Sequence, residues 1–332
     1  MDTLTQMTLG AAVGYAVLGR RVGRKALVWG GVCGLLPDLD VLVPMGDAVR
    51  DFTYHRGASH SLFVLAALTP LVAWLITRIH KDTAVHRRWW YALVYGAFAT
   101  HVLLDCFTVY GTQIFWPVKT PPVMWSTIFI IDPVYTLPLL LGVAAAWILA
   151  RRPDRGRLFN TLGILLSSLY LAWSVGAKLH VNQVARGALN TQGIEYTRML
   201  TLAAPFNTVL WRVLAITDRG YVEGYYSLLD QGKTVRFTPY PSDPALLEGI
   251  ENHWPVKRLQ WFTHGFYALK KEGSAIVMSD LRMGLEPSYV FQFKVAEAAN
   301  PHPRPVAAER VRSPRSLKTL GWVWRRIYNE NT

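Results

Sequence analysis

The run SLFVLAALTPLVAWLITRI occupies residues 61–79 and carries a single charged side chain, Arg78, near its end. A helix of about 20 apolar residues is long enough to cross the hydrocarbon core of a bilayer. The run therefore predicts a membrane-spanning helix. The whole chain suits this interpretation, because 51% of its 332 residues are hydrophobic.

Other apolar runs of the first half resemble this one. The clear ones are residues 89–107, 131–150 and 158–177. Two are weaker, because 4–19 is short and 26–45 contains Pro37, Asp38 and Asp40. For these two a re-entrant or interfacial segment is the alternative. We predict an α-helical polytopic membrane domain of about six spans over residues 1–177.

The loops between the runs differ in charge, and the difference predicts an orientation. Twelve cations follow the odd-numbered runs, and three follow the even-numbered ones. The twelve are Arg20, Arg21, Arg24, Lys25, Arg78, Lys81, Arg87, Arg88, Arg151, Arg152, Arg155 and Arg157. Basic short loops stay cytoplasmic, so the segment after the sixth run is predicted to be extracytoplasmic. Because these cations lie between apolar runs, the formal charge of +13 does not predict a nucleic-acid partner.

The second half has a different pattern. Residues 179–190 extend the sixth run as a helix, and short β-type runs follow at 208–217, 221–229, 259–269, 274–279 and 289–295. Asp218-Arg219-Gly220 separates the first two as a hairpin connection. We predict a small, mainly-β extracytoplasmic domain over 178–300, and a Pro/Arg-rich linker and aromatic-basic tail over 301–332. The tail, 317–328, would rest on lipid or pack on the β domain.

Polar and ionisable residues gather toward the predicted outer side of the bilayer. A charge at membrane depth costs about 2.5–3.5 kcal/mol, so such residues usually mark function. The residues at this side are Asp2, Gln6, Asp38, Asp40, His55, Arg56, His60, His101, Asp105 and Asp132. His101 and Asp105 are four residues apart and share one helical face. The common depth of these groups predicts one site.

The residue types in this group suit a hydrolytic metal ion. Imidazole and carboxylate ligands favour Zn²⁺, with Mn²⁺ and Fe²⁺ open, whereas the two cysteines, Cys33 and Cys106, are too few for a cysteine zinc site. The predicted ligands are Asp38, His55, His60, His101 and Asp105. Asp40 and Asp132 are predicted as further ligands, partners of a histidine or general bases, and Arg56 as a phosphate contact. Asp2 and Gln6 are possible accessory groups.

Four motifs of the first half resemble one family. They are Asp2…Thr5-Gln6…Gly10-Ala11-Ala12, Gly34-Leu35-Leu36-Pro37-Asp38-Leu39-Asp40, His55-Arg56-Gly57-Ala58-Ser59-His60-Ser61 and His101…Asp105…Tyr110-Gly111. Together they resemble the YdjM-type family of inner-membrane-associated metal-dependent hydrolases, over roughly residues 1–150. The resemblance implies metal ligands at the five predicted positions. The family often has Thr-His near the N-terminus, where this chain has Thr5-Gln6.

The order of the motifs also resembles zinc-dependent phospholipase C and P1-type nucleases, which implies phosphoester cleavage. We therefore predict a multi-pass hydrolase of the bacterial inner membrane, with a phosphoester or lipid-linked substrate at the outer face. One alternative is a transporter or ion-conducting protein with intramembrane carboxylates. Another is a structural or regulatory membrane protein whose β domain binds a partner.

Overall fold

The chain forms two compact units. The computed structural model describes residues 1–232, 234–311 and 318–330. The helical unit comprises Met1–Val43, His55–Trp125 and Phe129–Ser174. The β unit comprises Pro44–Tyr54, Ser126–Ile128 and Val175–Thr332. Residues 46–54 and 126–128, which the sequence placed in outer loops of the membrane domain, thus belong to the β unit.

Helices build the first unit. They are α1 (Thr3–Val22), α2 (Arg24–Leu35), α4 (Leu62–Ile79), α5 (Arg87–Cys106), α6 (Pro133–Ile148) and the first part of α7 (Pro153–Thr191). Short 3-10 helices cover Leu36–Leu42, Ala58–His60 and Lys81–His86. Helix α5 packs against α1, α2 and α4, and its side chains Trp90, Leu93 and Phe98 are buried at the centre.

Glycines bring α1 and α2 into direct backbone contact. A Cβ added at Gly10 would collide with the carbonyl oxygen of Gly30, and one at Gly34 would collide with that of Gln6. Gly10 and Gly14 on α1 face Gly30 and Gly34 on α2, so each helix has small residues four positions apart. This spacing allows the close helix packing that is common in membranes.

The structure bears out part of the predicted membrane architecture. Among the described residues, two helices are long and apolar enough to cross a bilayer, Leu62–Ile79 and Pro153–Thr191, and Pro133–Ile148 is apolar but shorter. All six predicted runs coincide with helices, although 26–45 is broken after Leu35 by a 3-10 helix. The count of six spans is not confirmed and stays a prediction.

Two antiparallel sheets form most of the second unit. One has the order β1-β2-β3-β4 (Arg198–Ala203, Leu210–Thr217, Gly220–Ser227, Phe237–Pro241), and the other has the order β10-β9-β6-β5 (Arg304–Val311, Gln292–Glu297, Ala275–Asp280, Tyr267–Glu272). Gly284–Leu285 (β7) pairs with Ser288–Tyr289 (β8). Helix α3 (Ala48–Tyr54) also belongs to this unit. The mainly-β character and the hairpin at Asp218-Arg219 are confirmed.

The last part of α7 packs on the first sheet. Val181 and Ala185 are buried in one cluster with Trp211 and Val213 of β2. The predicted helical extension over 179–190 is confirmed, because α7 continues to Thr191. Apolar burial against the sheet stabilises a helix that would otherwise extend into solvent beyond the apolar run.

One predicted strand is wrong. Residues 259–269 were expected to be extended, whereas α8 (Trp254–Phe262) covers the first part and β5 begins only at Tyr267. Pro255 occupies the first turn of α8, where its missing N–H costs nothing. Val256, Leu259 and Phe262 are buried at intervals of three residues, which is a helical spacing.

The predicted linker is also corrected. Residues 304–311 form β10, an edge strand that pairs antiparallel with β9, and an edge position tolerates Pro305. Residues 312–317, which follow β10, lie outside the described residues. The tail forms α9 (Lys318–Tyr328), whose Val323 and Ile327 are buried with Leu210, so the tail packs on the β unit.

Candidate metal centre

Four side chains converge from three segments of the helical unit. Asp38 lies in the first turn of the 3-10 helix Leu36–Leu42. Pro37 is the second residue of this helix, and α2 ends just before it because an α-helix cannot continue through proline unchanged. His60 ends the 3-10 helix Ala58–His60. His101 and Asp105 lie on one face near the end of α5. One potential ligand atom of each of the four lies within 4.8 Å of the others.

The separations between these atoms match the edges of a metal coordination shell. His60 Nε2 lies 3.2 Å from His101 Nε2, 3.2 Å from Asp38 Oδ1 and 3.3 Å from Asp105 Oδ2. His101 Nε2 lies 3.5 Å from Asp38 Oδ1 and 3.6 Å from Asp105 Oδ2. Ligands about 2.0–2.1 Å from a tetrahedral ion are about 3.3–3.4 Å apart, so a zinc-sized ion fits among them.

Outer contacts fix the tautomers of both imidazoles. His101 Nδ1 lies 2.7 Å from the carbonyl oxygen of Gly34 and must donate to it, which leaves the Nε2 lone pair toward the site. Ser59 Oγ donates to Asp40 Oδ2 at 2.5 Å and lies 2.9 Å from His60 Nδ1, so Nδ1 of His60 donates to the serine oxygen. Two Nε2 lone pairs facing each other favour a cation between them.

The two oxygens of Asp105 have different surroundings. Oδ1 contacts the Met1 nitrogen, accepts a hydrogen bond from Gln6 Nε2 at 3.0 Å and lies 3.4 Å from Arg56 Nη1. Oδ2 is buried and accepts no hydrogen bond from any described residue, although it faces both imidazoles. A buried carboxylate oxygen without a donor is costly unless a cation binds it. The donor set and this oxygen therefore both fit a divalent metal.

His55 lies outside the four-residue group. Its Nδ1 is 2.7 Å from Asp40 Oδ1, and its ring centroid is 5.8 Å from that of His60. Asp40 Oδ2 also accepts the backbone N–H of Arg56 at 3.1 Å. Asp40 thus orients His55 directly and His60 through Ser59, which is one of the roles predicted for it. The predicted ligand role of His55 remains a prediction.

The other predicted residues have clear partners. Arg56 is buried, has a positive φ of 61°, and donates from Nη1 to Thr108 Oγ1 at 3.2 Å. Its guanidinium carbon lies 4.9 Å from the Tyr110 ring centroid. Asp132 caps α6 by accepting the N–H groups of Val134 and Tyr135, and it accepts Tyr170 OH at 2.8 Å.

Asp2 caps α1 through Thr5 N at 3.0 Å. The structure therefore uses Asp2 and Asp132 as helix caps. Their predicted site roles, like the phosphate contact of Arg56, remain predictions.

Sequence reasoning missed two groups around the site. Ser59 lies inside the quoted histidine motif, but only the structure shows its hydroxyl between Asp40 and His60. The carbonyl of Gly34 is a backbone group, so its contact with His101 cannot be recognised from the residue types in the sequence. The repeated glycines of α1 and α2 were the available indication, because such spacing predicts close helix contact at this end of α2.

Burial and charge act in opposite directions on His60. Burial lowers the pKa of this imidazole, and the nearby carboxylates of Asp105 and Asp38 raise it by more, so the pKa lies above its ordinary value of 6.5. The same carboxylates would also attract a metal cation. Protons and metal therefore compete for the Nε2 lone pair of this residue.

The sequence profile of the family described as YdjM inner membrane protein matches residues 1–181. The chain belongs to this family. All four converging residues of the metal centre lie inside the matched range. The chain is also 24% identical to the "Uncharacterized protein YfhP" of Bacillus subtilis (strain 168) over 258 residues. The aligned region covers 74% of this chain and 75% of that protein. No solved structure matches the chain.

Proposed function

We propose that the protein is a membrane-bound, metal-dependent hydrolase of a phosphoester or lipid-linked substrate, acting at the outer face of the inner membrane. The observation that supports this most is the group Asp38, His60, His101 and Asp105, with both Nε2 lone pairs aimed inward. A bound metal would supply a water of pKa about 7 and polarise the scissile bond. Zn²⁺ suits the ligand set, and Mn²⁺ and Fe²⁺ are alternatives.

The protein side chains leave one side of the centre open. The side chains of His60, His101 and Asp105 are at most 1% exposed, whereas that of Asp38 is 22% exposed. Substrate would therefore approach beside Asp38. The charge of Arg56, held next to Asp105, would favour an anionic substrate such as a phosphoester.

The Asp40–His55 pair would move the proton. Asp40 accepts from Nδ1 of His55, which leaves Nε2 of the partly exposed ring available to take or give a proton. The carboxylate would stabilise the imidazolium that forms during transfer. This assigns to Asp40 a general-base role exerted through His55.

The position of the centre favours a lipid or lipid-linked substrate. Asp105 lies in the last turn of α5, and Gln6, which contacts it, lies near the start of α1. A site at the ends of apolar helices would be level with lipid headgroups rather than with the bilayer midplane. Transport sites generally lie near the midplane, so this position supports hydrolysis over transport.

Metal content and turnover test this function together. We expect about one divalent metal ion per purified wild-type chain and turnover of a phosphodiester or phospholipid substrate. A His60→Ala/His101→Ala variant should lose both, because two ligands are gone. His180→Ala, with an exposed histidine of the β unit, is the matched control and should keep both.

Stoichiometric metal in the double variant would defeat the metal assignment. Metal-dependent ion or solute flux in proteoliposomes that requires Asp38 and Asp105, without any hydrolysis, would favour the transporter alternative instead.

A further inference from the structure

The helical unit carries a basic end opposite the metal centre. Helix α5 begins at Arg87-Arg88 and reaches Asp105 near its other end, which is a distance of roughly 25 Å along a helix axis. Helix α1 likewise begins beside the metal centre and carries Arg20 and Arg21 in its last turn. The separation is close to the thickness of a bilayer hydrocarbon core, about 30 Å.

A basic pocket lies at this end. The α1–α2 turn and the end of α6 enclose an open pocket of about 620 Å³. Its lining residues are Val22, Arg24, Lys25, Ile148, Ala150 and Arg151. Three of these are cations, so the pocket is complementary to an anion, and the other three form an apolar wall.

The three cations of the pocket differ in the hydrogen bonds and ion pairs that they form with neighbouring residues. Arg24 donates from Nε and Nη2 to the carbonyl oxygen of Trp147 at 3.0 and 2.9 Å, and its guanidinium carbon lies 5.0 Å from the Trp147 ring centroid. This holds Arg24 in place and leaves Nη1 for a ligand. Lys25 pairs with Asp82 at 2.6 Å. Within the described part of the chain, Arg151 forms no hydrogen bond or ion pair.

An apolar strip leads from the pocket along α6. Val134, Leu137, Leu141 and Ile148 are all exposed, and Ile148, which lines the pocket, is 73% exposed. Their spacing places them on one side of the helix. In a membrane protein such a strip faces acyl chains. The pocket and the strip thus present a site for an anion joined to a hydrocarbon chain.

We propose that this pocket binds the phosphate of an anionic phospholipid, with Arg24 and Arg151 contacting the phosphate and the acyl chains lying along α6. The lipid is a structural ligand at the end of the unit opposite the metal centre, so the proposal does not depend on the hydrolase function. Basic pockets between membrane helices are suited to such headgroups.

Native mass spectrometry of the detergent-solubilised full chain tests the proposal. The protein is offered equal amounts of phosphatidylglycerol and phosphatidylcholine with identical acyl chains. We expect the wild type to retain more phosphatidylglycerol than phosphatidylcholine. The ratio of the two bound lipids should fall about tenfold or more in Arg24→Gln/Arg151→Gln. Arg87→Gln/Arg157→Gln removes the same charge at exposed positions outside the pocket and should keep the preference.

Three outcomes would overturn the proposal. The pocket variant could retain phosphatidylglycerol as the wild type does, or the control variant could lose the lipid equally, which would mean general charge attraction. Alternatively, inorganic phosphate at millimolar concentration could displace the lipid fully, which would identify a free anion as the occupant. Unchanged gel-filtration elution and thermal unfolding of both variants ensure that a lost lipid does not reflect a misfolded chain.

Discussion

At the scale of single residues, the hydroxyl of Ser59 links Asp40 to the imidazole of His60. Removing it frees the His60 ring to rotate and to change tautomer. Loss of such an outer contact typically weakens metal affinity 10–100-fold, and we expect about tenfold for Ser59→Ala. Competition with a chelator of known affinity measures the change.

Thr100→Ala is the matched control for Ser59→Ala. It removes a hydroxyl next to His101 that, among the described residues, bonds to the α5 backbone alone, at Gly96 O and Ala97 O. Its metal affinity should equal that of the wild type. Equal affinity of Ser59→Ala and the wild type would show that the hydroxyl does not hold the ring.

The raised pKa of His60 predicts how metal retention depends on pH. Above this pKa the imidazole is neutral and free to bind metal, and below it the proton occupies the lone pair. Because the pKa lies above 6.5, metal loss on acidification should begin at a higher pH than an unperturbed histidine would give. Metal analysis after dialysis over a pH series measures this. Metal content that stays constant down to the acidic pH at which carboxylates become protonated would contradict the prediction.

Individual site residues were predictable from the sequence to different degrees. Asp38, His60, His101 and Asp105 share a predicted depth, and the structure brings them within ligand distance of one another. The position of His55 could not be derived, because a loop with Gly57 allows the ring to turn either toward His60 and His101 or toward Asp40. The contact with Asp40 at 2.7 Å depends on the 3-10 helix after α2, a local geometry that apolar spacing does not encode.

At the scale of elements, the contact between α1 and α2 positions the outer shell of the metal centre. A Cβ at Gly34 would meet the carbonyl oxygen of Gln6, and Gly34 itself supplies the carbonyl that orients His101. Gly34→Ala must therefore push the two helices apart. We expect a loss of about 1–3 kcal/mol of stability together with weaker metal binding, measured by thermal unfolding and metal content in detergent.

Gly176→Ala provides the control for this prediction. Gly176 lies inside α7, and a Cβ there would meet no atom of the described residues within 4 Å. Alanine favours helix more than glycine does, so this variant should be neutral or slightly stabilised. If Gly34→Ala and Gly176→Ala unfold at the same temperature, the close contact of α1 with α2 does not limit stability.

The elements themselves show where sequence patterns succeed. Long apolar runs became helices, and the Asp218-Arg219-Gly220 turn became a hairpin, because both depend on local chemistry. Helix α8 and strand β10 were not predicted, because in such short segments the spacing of apolar residues does not distinguish a helix from a strand or a loop. Burial of Val256, Leu259 and Phe262, and pairing of β10 with β9, decide these segments. Both are tertiary effects.

At the scale of the whole molecule, charge along the chain predicts a topology that remains to be tested. The loops after the odd-numbered apolar runs carry twelve of the fifteen cations counted between the runs, so they should face the cytoplasm. The metal centre and the β unit would then be on the outer side. Lys81 lies in one of the basic loops, and Asp218 lies in the hairpin between β2 and β3. Both are exposed.

Single cysteines at these two positions test that topology in intact cells. The native Cys33 and Cys106 are both buried and should not react with an added label. We expect a membrane-impermeant maleimide to label Asp218→Cys once it has passed the outer envelope, and to label Lys81→Cys only after the inner membrane is opened. The reverse pattern would place the β unit in the cytoplasm and with it the open side of the metal centre, which would exclude a substrate in the outer leaflet. Labelling of both positions in intact cells would instead contradict the assignment of the basic loops to the inner side.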